Sequence, residues 1–331
     1  MHNVAVFGAA GYAGLELVKL LAVHPSVHLA CAASDARAGI RLAELTGART
    51  GASFVTTRAA LETPAELALL ATPPEASREL APQLLARGVR VVDLSNAYRA
   101  EPETASYGLS SLFASEVAGA RLVANPGCYA TAVITALAPL VRHGLVEPAI
   151  AVAAGSGVTG AGRTADEAMS LGEMYGEVRA YKVLRHQHVP EIEMALGRVA
   201  AQAGAERPRV AMTTHLLPIA RGIFVTVTAR LRAGIAPPTS EALAERYRAD
   251  YSGDGSVTVA ATAEQVSLRR VVGTNTCAVG VACEPIAGGF VIVTAALDNL
   301  LKGAAGQAIE NLNLMLGLDR MTGLTHLARH A

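Results

Sequence analysis

Cys128 stands between Asn125-Pro126-Gly127 and an apolar run from Tyr129 to Val141. The run reads as a helix, and the Pro-Gly turn ends a short strand over Arg121–Ala124. A thiol at a helix N-terminus meets unpaired N–H groups and the positive end of the helix dipole, both of which favour the thiolate. The same N–H groups can hold the oxyanion that forms when a thiolate attacks a carbonyl. Cys31, Cys277 and Cys283 lack this setting and read as small buried apolar residues. No two cysteines have C-x-x-C spacing, so neither a redox dithiol nor a zinc knuckle is expected.

His186 and His188 lie just before Pro190-Glu191, a helix start. At the mouth of a helix and without a convincing third ligand nearby, they suit proton transfer better than zinc, and no metal is expected. A structural capping role is the alternative for either one. Downstream of a strand at Ile150–Ala154 comes Gly155-Ser156-Gly157-Val158-Thr159-Gly160-Ala161-Gly162-Arg163. So many glycines imply close approach of backbone to a ligand, with Ser156 and Arg163 as candidate substrate contacts. A flexible linker is the plainer reading. Arg99 is a second candidate anion clamp, set against an ordinary surface arginine.

Near the N-terminus, Val4–Phe7 reads as a strand that runs into glycines at 8, 11 and 14, followed by a helix over Leu15–Leu21. Such a strand-to-helix turn lets backbone approach a pyrophosphate at a helix N-terminus. The candidate dinucleotide contacts are Gly8, Ala10, Gly11, Tyr12 and Ala13. After the next strand, Val27–Ala33, come Ser34-Asp35-Ala36-Arg37. Asp35 suits a ribose hydroxyl, whereas Ser34 and Arg37 suit a 2′-phosphate, so NADP is expected with NAD not excluded.

These groups need rigid elements behind them. Further strands are predicted at Leu67–Ala71 and Val89–Leu94, with a helix over Glu75–Arg87 between them. With the earlier elements they define an α/β, Rossmann-type, doubly wound parallel sheet. Beyond about residue 150 the strands Val210–Thr214, Ile223–Leu231, Ser256–Ala261, Cys277–Ala282 and Phe290–Ala296 are joined by shorter helical segments. They point to an α+β domain with a mostly antiparallel sheet. A last helix is predicted over Asp298–Leu316, with Gly317 closing it.

Hydrophobic residues form 51% of the 331 and charged residues 17%, enough to bury a large core. Lys plus Arg and Asp plus Glu are both 28, which gives no support for a nucleic-acid partner. The opening Met1-His2-Asn3 has no charged n-region, and no apolar stretch reaches the ~18 residues of a membrane span. A cytoplasmic protein with reduced thiols is the expectation.

Taken together, these motifs resemble the semialdehyde dehydrogenase superfamily, and within it the arginine-pathway branch that reduces N-acetyl-γ-glutamyl phosphate. The resemblance rests on Gly8–Leu17, Asn125–Tyr129, Ser156–Arg163, His186–Ile192, Arg221–Ile223, Gly273–Cys277 and Asp298–Gln307, and covers nearly the whole chain. It implies a Rossmann domain over 1–127 and 298–331, and a catalytic and dimerisation domain over 128–297. It further implies NADP-dependent reduction with phosphate release through a Cys128 thioester, acid–base work by His188 or His186 (His188 preferred), and a homo-oligomer, dimer or tetramer. Asn299 is implied to contact the nicotinamide amide and Gly157 to lie near that ring. Some positions depart from the branch's pattern. Asn96-Ala97-Tyr98 replaces its Ala-Asp-Phe before Arg99, the segment 100–111 is shortened, Gln187 replaces an arginine, and Asp35 stands where arginine is common. The alternatives are the related aminoadipyl-phosphate reductase of lysine synthesis, a non-catalytic nucleotide-binding sensor, and a cofactor-free cysteine hydrolase.

Overall fold

The computed structural model describes residues 1–163 and 167–325. The chain divides into two compact units. Of the described residues, 1–127 and 304–325 make the first, and Cys128–Gly303 make the second.

In the first unit, strand β1 (His2–Phe7) leads through the glycine turn into helix α1 (Tyr12–Ala22), and β2 (Val27–Ala33) follows. Short helices α2 (Leu42–Thr46) and α3 (Thr57–Glu62) precede β3 (Leu67–Leu70). Helix α4 (Pro74–Ala86) starts on a proline, whose missing N–H costs nothing in a first turn. Then come β4 (Arg90–Asp93), β5 (Ser106–Tyr107), α5 (Ser110–Gly119) and β6 (Leu122–Ala124). The six strands are all parallel, in the order β2-β1-β3-β4-β6-β5. Residues Val4–Phe7 and Leu67–Leu70 are buried on both faces, as strands of a helix-covered parallel sheet must be. The order reverses beside β1, which puts the glycine turn at the switch point where open α/β sheets bind ligands. The two-residue β5 has no hydrophobic run to announce it.

The second unit opens with α6 (Cys128–Arg142), in which every side chain from Tyr129 to Val141 is buried. Then follow β7 (Ala149–Ser156), α7 (Leu171–Met174), β8 (Arg179–Tyr181), α8 (Val189–Gln202), β9 (Arg209–Leu216) and β10 (Ile223–Arg230). Helix α9 (Ser240–Asp250), β11 (Val257–Val259), β12 (Cys277–Cys283) and β13 (Phe290–Leu297) complete it. The strand order is β11-β12-β13-β10-β7-β9-β8. The pairs β11–β12 and β7–β9 are parallel and the other four antiparallel, giving a mixed, mostly antiparallel sheet. Helices α6, α8 and α9 pack against this sheet. Along β7, Ile150, Val152 and Ala154 are buried while Ala149, Ala151 and Ala153 are exposed.

The chain returns to the first unit at Ala304, later than Asp298, because the polar side chains of Asp298, Asn299 and Lys302 are bonded within the second unit. The helix predicted from Asp298 is in fact two elements. A π-turn over Leu301–Ala305 comes first, and α10 (Gly306–Met315) follows, packed on α5, α1 and β4. Gly317 closes it at φ 72°, the left-handed position expected of it.

Candidate active site

The second unit gathers Cys128, Tyr129, Ser156, Tyr181, His186 and His188. Cys128 is the first residue of α6 and half-buried. Burial pushes the other three thiols up, that of Cys277 to about 12, so they stay protonated and unreactive. The Tyr129 ring stands edge-on to both imidazoles, 5.2 Å from His186 and 6.1 Å from His188 between ring centres. The imidazoles are themselves 4.7 Å apart. Tyr181, at the end of β8, donates its hydroxyl to that of Tyr129 over 3.0 Å, and Tyr129 donates to the His215 carbonyl at 3.4 Å. Burial raises the Tyr129 phenol far above its ordinary range, with the neighbouring Tyr181 and Cys128 adding to it. Burial raises Tyr181 as well, so both phenols remain protonated.

Both histidines are only 5% exposed. The His188 backbone N–H donates to Nδ1 of His186 at 3.2 Å, which places the proton of a neutral His186 on Nε2. Burial, helped by the Lys182 charge, depresses His186 to about 4, so the ring is neutral near pH 7. The His188 Nε2 lies 3.8 Å from Oε1 of Glu191, a buried side chain one turn along α8. The loop delivering His186 carries two non-glycine residues in the left-handed region, Lys182 at φ 46° and Leu184 at φ 58°. Such conformations persist only where surroundings enforce them, and the Leu184 N–H is tied to the Met212 carbonyl at 3.0 Å.

Ser156 ends β7, 2% exposed, and donates its hydroxyl to the Gly157 carbonyl at 2.9 Å. At Gly157 a β-carbon would fall 2.8 Å from backbone atoms of Ala220 and Arg221. Asn299 supports the same loop: its Oδ1 accepts from the Gly222 N–H at 2.7 Å and its Nδ2 donates to the Thr159 hydroxyl at 3.0 Å. Gly157 and Asn299 therefore shape the glycine-rich loop, and Arg163 is exposed at its far end.

The remaining sequence candidates belong to the first unit. Gly8 has φ 72°, and a β-carbon there would lie 2.3 Å from the Ala71 carbonyl oxygen. At Gly14 it would lie 2.3 Å from the Gly8 carbonyl oxygen. No side chain caps α1, whose N-cap Gly11 is extended. Backbone N–H groups thus open onto partly exposed Ala10, Gly11, Tyr12 and Ala13, a cradle that fits the pyrophosphate of a dinucleotide. Asp35 is tied to the start of α3. Its Oδ1 accepts the Thr57 N–H at 2.9 Å and its Oδ2 the Thr57 hydroxyl at 2.7 Å, bonds that hold the carboxyl below its usual range. Ser34 is half-buried and Arg37 exposed. The half-buried Arg99 donates to the carbonyls of Asn125 (2.8 Å) and Leu94 (2.6 Å), so it braces the loop after β4. Tyr129, Tyr181 and Glu191 are the cluster members not marked by sequence as site residues; one follows Cys128 and the others flank the histidines in the run Tyr181–Ile192, and that proximity was their only signal. Among the described residues, no three His, Cys, Asp or Glu side chains meet as metal ligands, and no helix is long and apolar enough to cross a membrane.

Two family models match the chain: the semialdehyde dehydrogenase NAD binding domain over residues 3–120 and the semialdehyde dehydrogenase dimerisation domain over 128–299. The chain belongs to the semialdehyde dehydrogenase family. Among its curated relatives are proteins named N-acetyl-gamma-glutamyl-phosphate reductase. That of Geobacillus stearothermophilus is 40% identical, over 99% of both chains. That of Bacillus anthracis (strain A0248) is 38% identical, over 98% of this chain and 99% of its own. In fold, the chain is similar to aspartate semialdehyde dehydrogenase II from Vibrio cholerae complexed with ASA (TM-score 0.73, 18% identity, 96% and 98% of the two chains). It is also similar to the aspartate semialdehyde dehydrogenase with NADP from Candida albicans (TM-score 0.70, 14% identity, 96% and 98%).

Proposed function

We propose that this chain reduces N-acetyl-γ-glutamyl phosphate to N-acetylglutamate semialdehyde with release of phosphate, using NADPH. The observation that carries the reading is Cys128 at the open end of α6, in one cluster with a buried, aromatic-walled histidine pair. The name shared by relatives over nearly their whole length supplies the substrate.

The Cys128 thiolate attacks the acyl carbon; the C–S bond forms, the bond to the phosphate oxygen breaks, and phosphate leaves. The first N–H groups of α6 stabilise the oxyanion at that carbon. A bound nicotinamide nucleotide supplies the hydride that reduces the resulting thioester. As the C–S bond breaks the sulfur leaves with its electron pair, and His188 gives it a proton; in the opposite direction the same ring takes the thiol proton. Glu191 stands beside His188 and orients it, while neutral His186 fixes the turn through its Nδ1. Arg99, Arg163 and Ser156 are the proposed substrate contacts, and Gly157 and Asn299 the proposed contacts on the nicotinamide side. Ser34 and Arg37 hold the 2′-phosphate; this choice of NADP over NAD is favoured because both oxygens of Asp35 are engaged by Thr57.

The same reading includes a homodimer. Ala149, Ala151 and Ala153 of β7, with Ala211 on β9, leave an open strip of small apolar residues on the sheet, and a second copy of this chain is its proposed cover. Small-molecule biosynthesis of this kind is placed in the cytoplasm.

The test is phosphate-dependent oxidation of N-acetylglutamate semialdehyde, followed with NADP and with NAD and repeated with aminoadipate semialdehyde. Turnover with the first substrate and NADP, falling at least about a thousandfold in Cys128→Ser, is expected. Preference for the aminoadipate compound would move the chain to the lysine branch, and full activity of Cys128→Ser would end the thioester scheme.

A further inference from the structure

The segment after β13 is pinned at nearly every step. Asp298 is fully buried. Its Oδ1 accepts the N–H groups of Leu300 (2.8 Å) and Leu301 (3.2 Å) and an Arg221 Nη2 (3.1 Å), and its Oδ2 accepts the Gly273 N–H (2.8 Å). The next residue, Asn299, is bonded at both ends of its amide. Lys302, also fully buried, donates to the Ser256 hydroxyl at 2.9 Å. Between these anchors the backbone takes a π-turn, in which the Gly303 N–H reaches back five residues to the Asp298 carbonyl at 2.9 Å. Such turns are rare and concentrate at functional sites.

What the π-turn presents at residue 303 is an empty place beside Cys128. A β-carbon there would lie 2.8 Å from the Cys128 Cβ, 3.1 Å from a Leu297 methyl and 3.3 Å from the Asp298 carbonyl oxygen. Gly303 is not among the residues with positive φ, so its backbone would accept alanine. The requirement is for room, and the nearest atom in that room carries the sulfur.

We infer that Gly303 is a positioning residue for the thiol: the π-turn holds a side-chain-free backbone against Cys128, and that contact sets where the sulfur stands. Any β-carbon at 303 pushes the Cys128 side chain off its seat, because the pinned segment cannot retreat. The inference rests on Cys128 being the nucleophile proposed above.

Gly303→Ala in the full-length enzyme is expected to lower kcat about a hundredfold, the usual effect of roughly 1 Å of misplacement, with KM for semialdehyde within about threefold of wild type. The pH profile of Cys128 alkylation by iodoacetamide, corrected with Cys128→Ser, should change its plateau or its midpoint by about tenfold or one pH unit. The deciding arm is stability. Gly303→Ala should lower the thermal midpoint by several degrees when Cys128 is present and by much less in a Cys128→Gly background, where the nearest clashing carbon is gone and only the looser Leu297 and Asp298 contacts remain. If Gly303→Ala alone does not fold, the Cys128→Gly/Gly303→Ala double variant still should. Equal losses in both backgrounds, or wild-type kcat and alkylation in Gly303→Ala, would overturn the inference. The stability arm reads contact rather than turnover, so it stays decisive even if Cys128→Ser proves active and the thioester scheme fails.

Discussion

His186 has few exposed atoms, and burial holds it neutral with its pKa near 4 against an ordinary value of about 6.5. The unfolded chain therefore binds a proton here that the folded chain refuses. Stability from this residue is complete above pH 6.5 and is lost as the pH falls from there through 4. Urea midpoints measured between pH 4 and 7 should fall toward acid more steeply in wild type than in His186→Gln; parallel curves would disprove the assignment. At His188 the expectation concerns catalysis. Glu191→Gln replaces the carboxyl oxygen 3.8 Å from Nε2 with an amide and should lower kcat/KM, while nucleotide binding is unchanged. Cys128, the His186/His188 pair and the glycine turn were legible in the sequence because each depends on chain neighbours: a strand end, a Pro-Gly turn, a helix start. The hydroxyl contact of Tyr181 with Tyr129 was not, since it joins residues 52 apart through the pairing of β8 with β9. The bonding of Asp35 was hidden for the same reason. Its position after β2 suggested a ribose contact, and its bonds run to Thr57, 22 residues on.

Those bonds place Asp35 beside the first turn of α3, where a carboxylate accepting backbone and hydroxyl hydrogens works as a cap. Asp35→Ala is expected to cost about 1 kcal/mol in chemical denaturation and leave the NADP:NAD preference unchanged. Arg37→Ala should instead raise KM for NADP about tenfold or more, the worth of one charge-assisted contact. Helix α10 carries a buried polar network inside the first unit. Gln307 Nε2 donates to the Gly108 carbonyl and the Ser110 hydroxyl, Ser110 to Glu310, and Asn311 Nδ2 to Asn125 Oδ1 at 2.9 Å. Asn311→Leu deprives Asn125 of that donor and should cost about 1–3 kcal/mol. The sequence pattern gave the helix, since Ala308, Ile309 and Leu312 keep its period. It hid the π-turn before it, because an inserted residue leaves the apolar spacing readable on either side. Parallel pairing of β7 with β9 was equally hidden: alternation shows which face is buried, not which way a neighbour runs.

At the scale of the molecule, balanced charge leaves no large field to oppose two copies meeting. A single charged substitution in the β7 strip, Ala151→Glu, is expected to shift sedimentation toward the single chain without altering the far-UV spectrum. An unchanged profile would place the interface elsewhere. The arrangement of the chain has its own consequence. Helix α10, which packs on β4, α1 and α5, is encoded after the whole second unit. During synthesis at about 5–20 residues per second, the strands and helices of residues 1–127 leave the ribosome roughly 10–40 s before that helix can reach them. Throughout this interval the surface that α10 later covers stands bare, so the nascent chain is open to chaperones and to aggregation until that helix emerges.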